Sequence, residues 1–199
     1  MGCDIHLYTE TKKIIEGETK WVISDFFMKN PFFGIYSYEE EYERISIYRH
    51  RSYRLFSLLA NVRNYLNSPF ICEPKGFPED ASEFVRSENE RWGCDAHSHS
   101  YFTLRELIEA REEFKITSFS GFMTKENAKL VDEGKMPHVW FEHEDDPSMV
   151  FRSWSFEEDP IYVIVEPIQK HAVDIGLIPN FKKIEEINND IRIVFWFDN

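Results

Sequence analysis

Residues 3 to 10, CDIHLYTE, alternate apolar and polar side chains, the period-two pattern of a strand with one buried face. Glu16-Gly17-Glu18 reads as a turn, and TKWVISDFF, 19 to 27, as the returning strand. A short strand is predicted at ISIYRH, 45 to 50. Over residues 53 to 66, Leu55, Leu58, Leu59, Val62 and Leu66 fall on one helical face. From 67 to 100 no period holds, and Pro69, Pro74, Gly76, Pro78 and Gly93 punctuate a segment predicted to be long and irregular. Such a stretch is uncommon in a compact domain and is often functional.

Beyond it, Thr103-Leu104-Arg105-Glu106 has capping-box spacing and predicts a helix. TKENAKLVDEG, 124 to 134, predicts a shorter one that stops at Gly134. HVWFEHE (138–144) and MVFRSWSF (149–156) flank a DDPS turn and predict a hairpin. IYVIVEPI (161–168) reads as a strand, NFKKIEEIN (180–188) as a helix, and IRIVFWF (191–197) as a strand. That last strand is apolar on both faces, which predicts a central place beside the N-terminal strand and brings Asp198 toward any site there. The elements add up to one α+β domain over 1–199, with a mostly antiparallel, possibly mixed, sheet and two to four helices.

Composition narrows the function. Of 199 residues, 42% are hydrophobic and 16% aromatic, ample for a packed core and incompatible with disorder throughout. No apolar run approaches the roughly 20 residues that cross a bilayer, and no basic-then-apolar leader opens the sequence, so no membrane partner is expected. Three cysteines are odd for a disulfide framework and predict reduced thiols in a cytoplasm. A net charge of -13 argues against duplex nucleic acid as a partner, because that affinity comes from neutralising phosphates. It leaves room for a small phosphorylated ligand if basic residues are concentrated in one place. Oligomerisation stays open.

One phrase occurs twice: Gly2-Cys3-Asp4-Ile5-His6 and Gly93-Cys94-Asp95-Ala96-His97. On a strand, Asp4 and His6 share a face, and if the second copy is extended, Asp95, His97 and His99 align likewise. Were the two segments neighbours, these donors would suit a divalent transition metal, Zn, Mn, Fe or Ni, better than Ca or Mg. The metal would activate water, with Asp4 and Asp95 as catalytic carboxylates. The same residues also suit a hydrogen-bonded core without metal. Cys3 and Cys94 read as small buried residues rather than ligands.

A second cluster stands out in so acidic a chain. Arg44, Arg49, His50, Arg51 and Arg54 fall within eleven positions, followed by Arg63. Arg49, Arg51, Arg54 and Arg63 are candidates for phosphate binding, Tyr48 and Tyr53 for stacking on a base, and Ser98 and Ser100 for further ligand contacts. The alternative is that these arginines pair with the acidic run at 39–43, which would contribute little.

The opening MGCDIH, the central YRLFSLLANVRN, KGFPEDAS, WGCDAHSHS with TLREL, and the closing IRIVFWFDN resemble a family of short proteins of phage and bacterial genomes over nearly the whole chain. The resemblance carries over no catalytic residue. It implies a phage–host setting, in the host cytoplasm, where a small protein modifies nucleotides or neutralises nucleotide signals of host immunity. Three functions follow: a metal-dependent phosphoesterase or pyrophosphohydrolase acting on a nucleotide-like molecule; a non-catalytic binder that sequesters such a molecule in the same pocket; or a protein-interaction module that uses exposed aromatics.

Overall fold

The computed structural model describes residues 2–35, 40–65, 68–141, 143–144, 146–157, 159–176 and 189–198. They form one α+β domain whose main element is a four-stranded antiparallel sheet of β1 (Ile5–Ile15), β2 (Glu18–Ile23), β5 (His97–Thr103) and β8 (Ile191–Phe197), in the order β2-β1-β8-β5. Two small antiparallel pairs accompany it: β3 (Phe26–Lys29) with β4 (Tyr42–Ile45), and β6 (Ile116–Met123) with β7 (Val150–Glu157). The helices are α1 (Tyr53–Ala60), α2 (Glu83–Trp92), α3 (Leu104–Glu113), α4 (Lys125–Asp132) and α5 (Tyr162–Asp174).

β1 and β2 are joined by a two-residue turn in which Glu16 and Gly17 both take positive φ, the mirror-image turn whose twist suits a hairpin. β8 is central, and all seven of its residues are buried. The sheet separates two apolar layers. On one face Leu7, Phe102, Ile193, Phe195 and Phe197 pack against α1, α3 and α5; Phe56 of α1 meets Phe197 edge-on at 5.1 Å. On the other, Tyr8, Val194 and Trp196 are covered by Phe77 and by Phe84, Val85 and Trp92 of α2.

A buried ion network ties α2 to that second face. Glu10 is fully buried, and Arg192 is 3% exposed. Arg192 Nε donates to Glu10 Oε2 at 2.8 Å, and its Nη1 donates to Asp80 Oδ1 at 2.8 Å. Glu10 Oε1 accepts the amide of Ser82 at 2.7 Å. Ser82 is the N-cap of α2, so β1 and β8 together hold the start of that helix.

Several expectations are corrected. The helix over 53–66 ends at Ala60 because Asn61 turns left-handed (φ 57); Val62 is still buried, and Leu66 lies outside the described residues. The 67–100 segment is not irregular throughout: it holds α2, a 3-10 turn at Gly93–Asp95 and the start of β5. IYVIVEPI is helical, not extended. Ile161, Ile164, Val165, Ile168 and Ala172 are all fully buried, and their spacing of three, four and seven outweighs the β-branched propensity. Pro167 lies in the interior of α5, where it has no N–H to donate and removes one hydrogen bond of the helix.

Five helices therefore stand among the described residues, against two to four expected. β7 pairs with β6, while the described residues of 138–144 contribute a bridge from Phe141 to Phe122 in place of a strand. The short strand at 45–50 is displaced to β4, and the predicted helix at 180–188 lies outside the described residues. No described helix is long and apolar enough to cross a membrane.

Two histidines, one buried and one partly buried, give the fold a pH dependence. Burial lowers the pKa of His171, which is 3% exposed and sits edge-on to Phe26 at 4.8 Å, although the Asp25 carboxylate nearby opposes the shift. Burial also lowers that of His99. A folded-state pKa below the unfolded value means that the unfolded chain binds more protons between the two, so stability rises with pH there. The contribution is complete above the ordinary histidine value of about 6.5 and is lost as pH falls below it. Urea unfolding is expected to show lower stability at pH 5.5 than at pH 7.5, with a smaller difference in His171→Gln. An unchanged difference in that variant would remove His171 from the explanation.

Candidate functional site

The two copies of the repeated phrase reach the same end of the sheet but do not touch as neighbours. Ile5 of β1 and His97 of β5 both pair with Phe197, from opposite sides of β8. Two strand spacings, about 10 Å, therefore separate them. The predicted alignment within the second copy also fails. The register slips between His97 and Ser100, where Ser98 takes φ 52, a bulge that reverses the alternation. His97 consequently stacks on Phe197 on one face, while His99 lies beside Trp196 on the other.

His6 flanks the opposite edge of the same indole, with ring centroids 6.2 Å apart, against 5.9 Å for His99. Trp196 thus fills the space between two of the proposed ligands. Asp95 is exposed in the 3-10 turn after α2, and Asp4 is engaged by Arg51. No group of three or more His, Cys, Asp or Glu side chains among the described residues is placed to hold a metal ion. The set Asp4, His6, Asp95, His97 and His99 does not fit one transition metal, because the bulge and the intervening strand disperse its donors.

What does assemble is a cleft around β1. His6 Nε2 lies 3.2 Å from Asp198 Oδ2, and Asp198 Oδ1 accepts the Asp4 amide at 2.8 Å, so the carboxylate just past β8 both pins the strand and orients the imidazole. With Nε2 as donor, Nδ1 is the basic nitrogen. The ring of Trp92 lies 4.0 Å from that of His6. Arg51 holds Asp4 in a fork of 2.8 and 2.5 Å, which keeps the Asp4 carboxyl below the usual carboxylate range. Both side chains are half exposed, so the pair orders the chain more than it stabilises it. The guanidinium lies close over Gly2, where a Cβ would stand 2.6 Å from Arg51 Nη1 and push that flexible end aside.

One side of His6 opens on a cleft of about 270 Å³ lined by Arg44, Ser46, Tyr48, Arg49 and His50. The Arg44 guanidinium forms its wall. It lies 3.9 Å over the Tyr8 ring, donates to the buried Asp25 carboxylate at 2.5 Å and to the Leu7 carbonyl at 2.8 Å. Arg49 Nη2 donates to the Arg44 carbonyl at 2.5 Å, and its only ion pair among the described residues is with Glu43 at 3.6 Å. Both partners of that pair are more than half exposed, so an anionic ligand can displace it at little cost.

The predicted binding residues divide among three places. Tyr48 and Arg49 line this cleft, although Tyr48 is buried. Arg51 belongs to Asp4. Arg54, Arg63 and Tyr53 line a separate hollow of about 160 Å³ beyond α1, where Arg63 donates to the Tyr65 hydroxyl at 3.0 Å and Arg54 lies over Phe119. Ser98 bonds His97 at 3.0 Å, and the buried Ser100 hydroxyl accepts the Lys75 amide at 3.2 Å, so both serve the fold. His99 is held by Asn89 at 2.6 Å.

All three cysteines are free. Cys3 is buried as expected, but Cys94 is exposed because it follows the end of α2. Arg44 belonged to the basic cluster without a role of its own, and Glu88 and Trp92 had no role in the sequence reading. A signal existed for the last two: with Phe84 and Val85 they keep helical spacing behind Ser82.

No protein-family model matches the chain, and neither a curated protein nor a solved structure matches it significantly.

Proposed function

We propose that the chain binds a small phosphorylated, nucleotide-like molecule beside His6 and holds it without cleaving it. The observation that supports this reading is the placement of Arg49, Arg44 and His50 around one cleft, with the Arg49 guanidinium engaged among the described residues by an exposed carboxylate and a backbone carbonyl. Arginine presents paired donors that match phosphate oxygens. A phage–host role as a sponge for a nucleotide signal agrees with the family that the sequence resembles. The metal-dependent hydrolase is the weaker reading, since its five donors do not converge.

A second reading has one observation in its favour. The Asp198–His6 pair has the arrangement of a general base and its orienting carboxylate: Nδ1 would take a proton from a water whose oxygen bonds to a phosphorus held by Arg49, while the phosphoester P–O bond breaks and its oxygen leaves with a proton from solvent. Calorimetric titration with nucleoside triphosphates and cyclic dinucleotides, followed by mass spectrometry of the recovered ligand, separates the two. Sequestration predicts saturable binding and intact ligand after the protein is denatured. Cleaved product would replace it with hydrolysis, and absence of binding across the panel would end both.

A further inference from the structure

Behind the same histidine lies a second cleft of different character. It has a volume of about 320 Å³ and is lined by aromatic rings, Tyr8, Phe27, Tyr42, Phe84 and Trp92, together with carboxylates of which Glu88 is the inner one. His6 and Arg44 line both this cleft and the basic one, so the two adjoin across those two side chains.

The aromatic cleft is not a closed core. Phe27 and Tyr42 are 42% and 53% exposed, leaving ring surface in contact with water. Phe27 meets Phe84 nearly edge-on, at 5.4 Å and 87°. Glu88 is fixed at the base, where its Oε2 accepts from the Tyr8 hydroxyl at 3.1 Å and from Arg91 at 2.9 Å. A carboxylate acceptor amid open aromatic rings suits a planar heterocycle that carries an amino group, because stacking covers the rings and the amino edge meets the acceptor.

We propose that the aromatic cleft holds the nucleobase of a ligand whose phosphates lie in the Arg49 cleft. The proposal rests on the phosphate-binding reading above. It deepens it, because it makes the ligand a nucleotide with an amino-bearing base rather than a sugar phosphate or a polyphosphate. His6 and Arg44 then stand against the sugar that joins the two parts.

The test titrates the wild-type chain, Phe27→Ala/Tyr42→Ala and Arg49→Ala with ATP, adenosine and inorganic tripolyphosphate. Phe27 and Tyr42 are exposed enough for the double variant to fold, and circular dichroism checks that. ATP is expected to bind the wild type, to lose about tenfold in affinity or more in the aromatic double variant, in line with the loss of a base-stacking ring, and to lose affinity separately in Arg49→Ala. Tripolyphosphate is expected to bind weakly and to ignore the aromatic substitutions.

If ATP and tripolyphosphate bind equally well and the double variant changes neither, the base assignment is overturned while the phosphate cleft survives. If adenosine binds as tightly as ATP and Arg49→Ala changes nothing, the phosphate reading falls and the aromatic cleft stands alone. Failure of all three probes to bind overturns both.

Discussion

Removal of residues 191–199 is expected to leave an insoluble or unfolded chain. β8 pairs with β1 over Ile5–Thr11 and with β5 on its other side, so its loss opens two ladders at once. It also removes Ile193, Phe195 and Phe197 from one apolar layer and Val194 and Trp196 from the other, all of them fully buried. The single substitution Trp196→Ala isolates part of this effect. Its indole lies 4.8 Å from the Tyr8 ring and packs between His6 and His99. Truncating an aromatic in a core costs about 3 to 5 kcal/mol, read as a shift of the urea midpoint. A truncated chain as soluble and as heat-resistant as the full one would show that β8 is peripheral, and Asp198 would then have no claim on the His6 cleft.

Replacing Arg192 by methionine is expected to destabilise the fold by a comparable amount. The methionine fills the space over Trp21, whose ring lies 4.1 Å from the guanidinium, but leaves the Glu10 carboxylate buried with one amide donor, that of Ser82. Breaking one member of a buried pair costs about 3 to 5 kcal/mol, mostly the penalty of an uncompensated charge. Combining it with Glu10→Gln, which keeps an acceptor for Ser82, is expected to recover a large part of that loss. Equilibrium unfolding of the two single variants and the double variant closes the cycle. Additive single effects, with no recovery in the double, would mean that Arg192 acts through packing on Trp21 and not through Glu10.

The repeated phrase shows how identical letters acquire different duties. Gly2 leaves the space across which the Arg51 guanidinium lies, whereas Gly93 supplies a φ of 54 at the end of α2. Cys3 is core and Cys94 is surface. His6 is oriented by Asp198, but His97 by its neighbour Ser98. The match marks two chain segments that meet the same end of β8, and nothing in the geometry makes them equivalent halves of one site.

The strands at 5–15 and 191–197 were legible because period-two alternation and a doubly apolar run report burial on one face or on two, and burial is a local property of each side chain. α3 was legible from the capping box of Thr103 and α4 from the run that stops at Gly134, signals that lie within the same few residues as the helices; in the structure the Thr103 and Thr124 hydroxyls cap them. α2 was passed over because only Val85 of its ten residues is buried, so the helical spacing behind Ser82 carried a weak signal. α5 was misread because β-branched side chains favour strands locally, while its helical spacing gains only when a layer exists to receive it. The site divided in the same way. The sequence alone determined that His6 lies on a strand, that Asp198 directly follows another, and that arginines crowd 44–54. Which of those arginines share a cleft, and that Trp196 separates His6 from His99, was decided by strand order and by the bulge at Ser98. These depend on pairings across 90 to 190 residues, which no local period encodes.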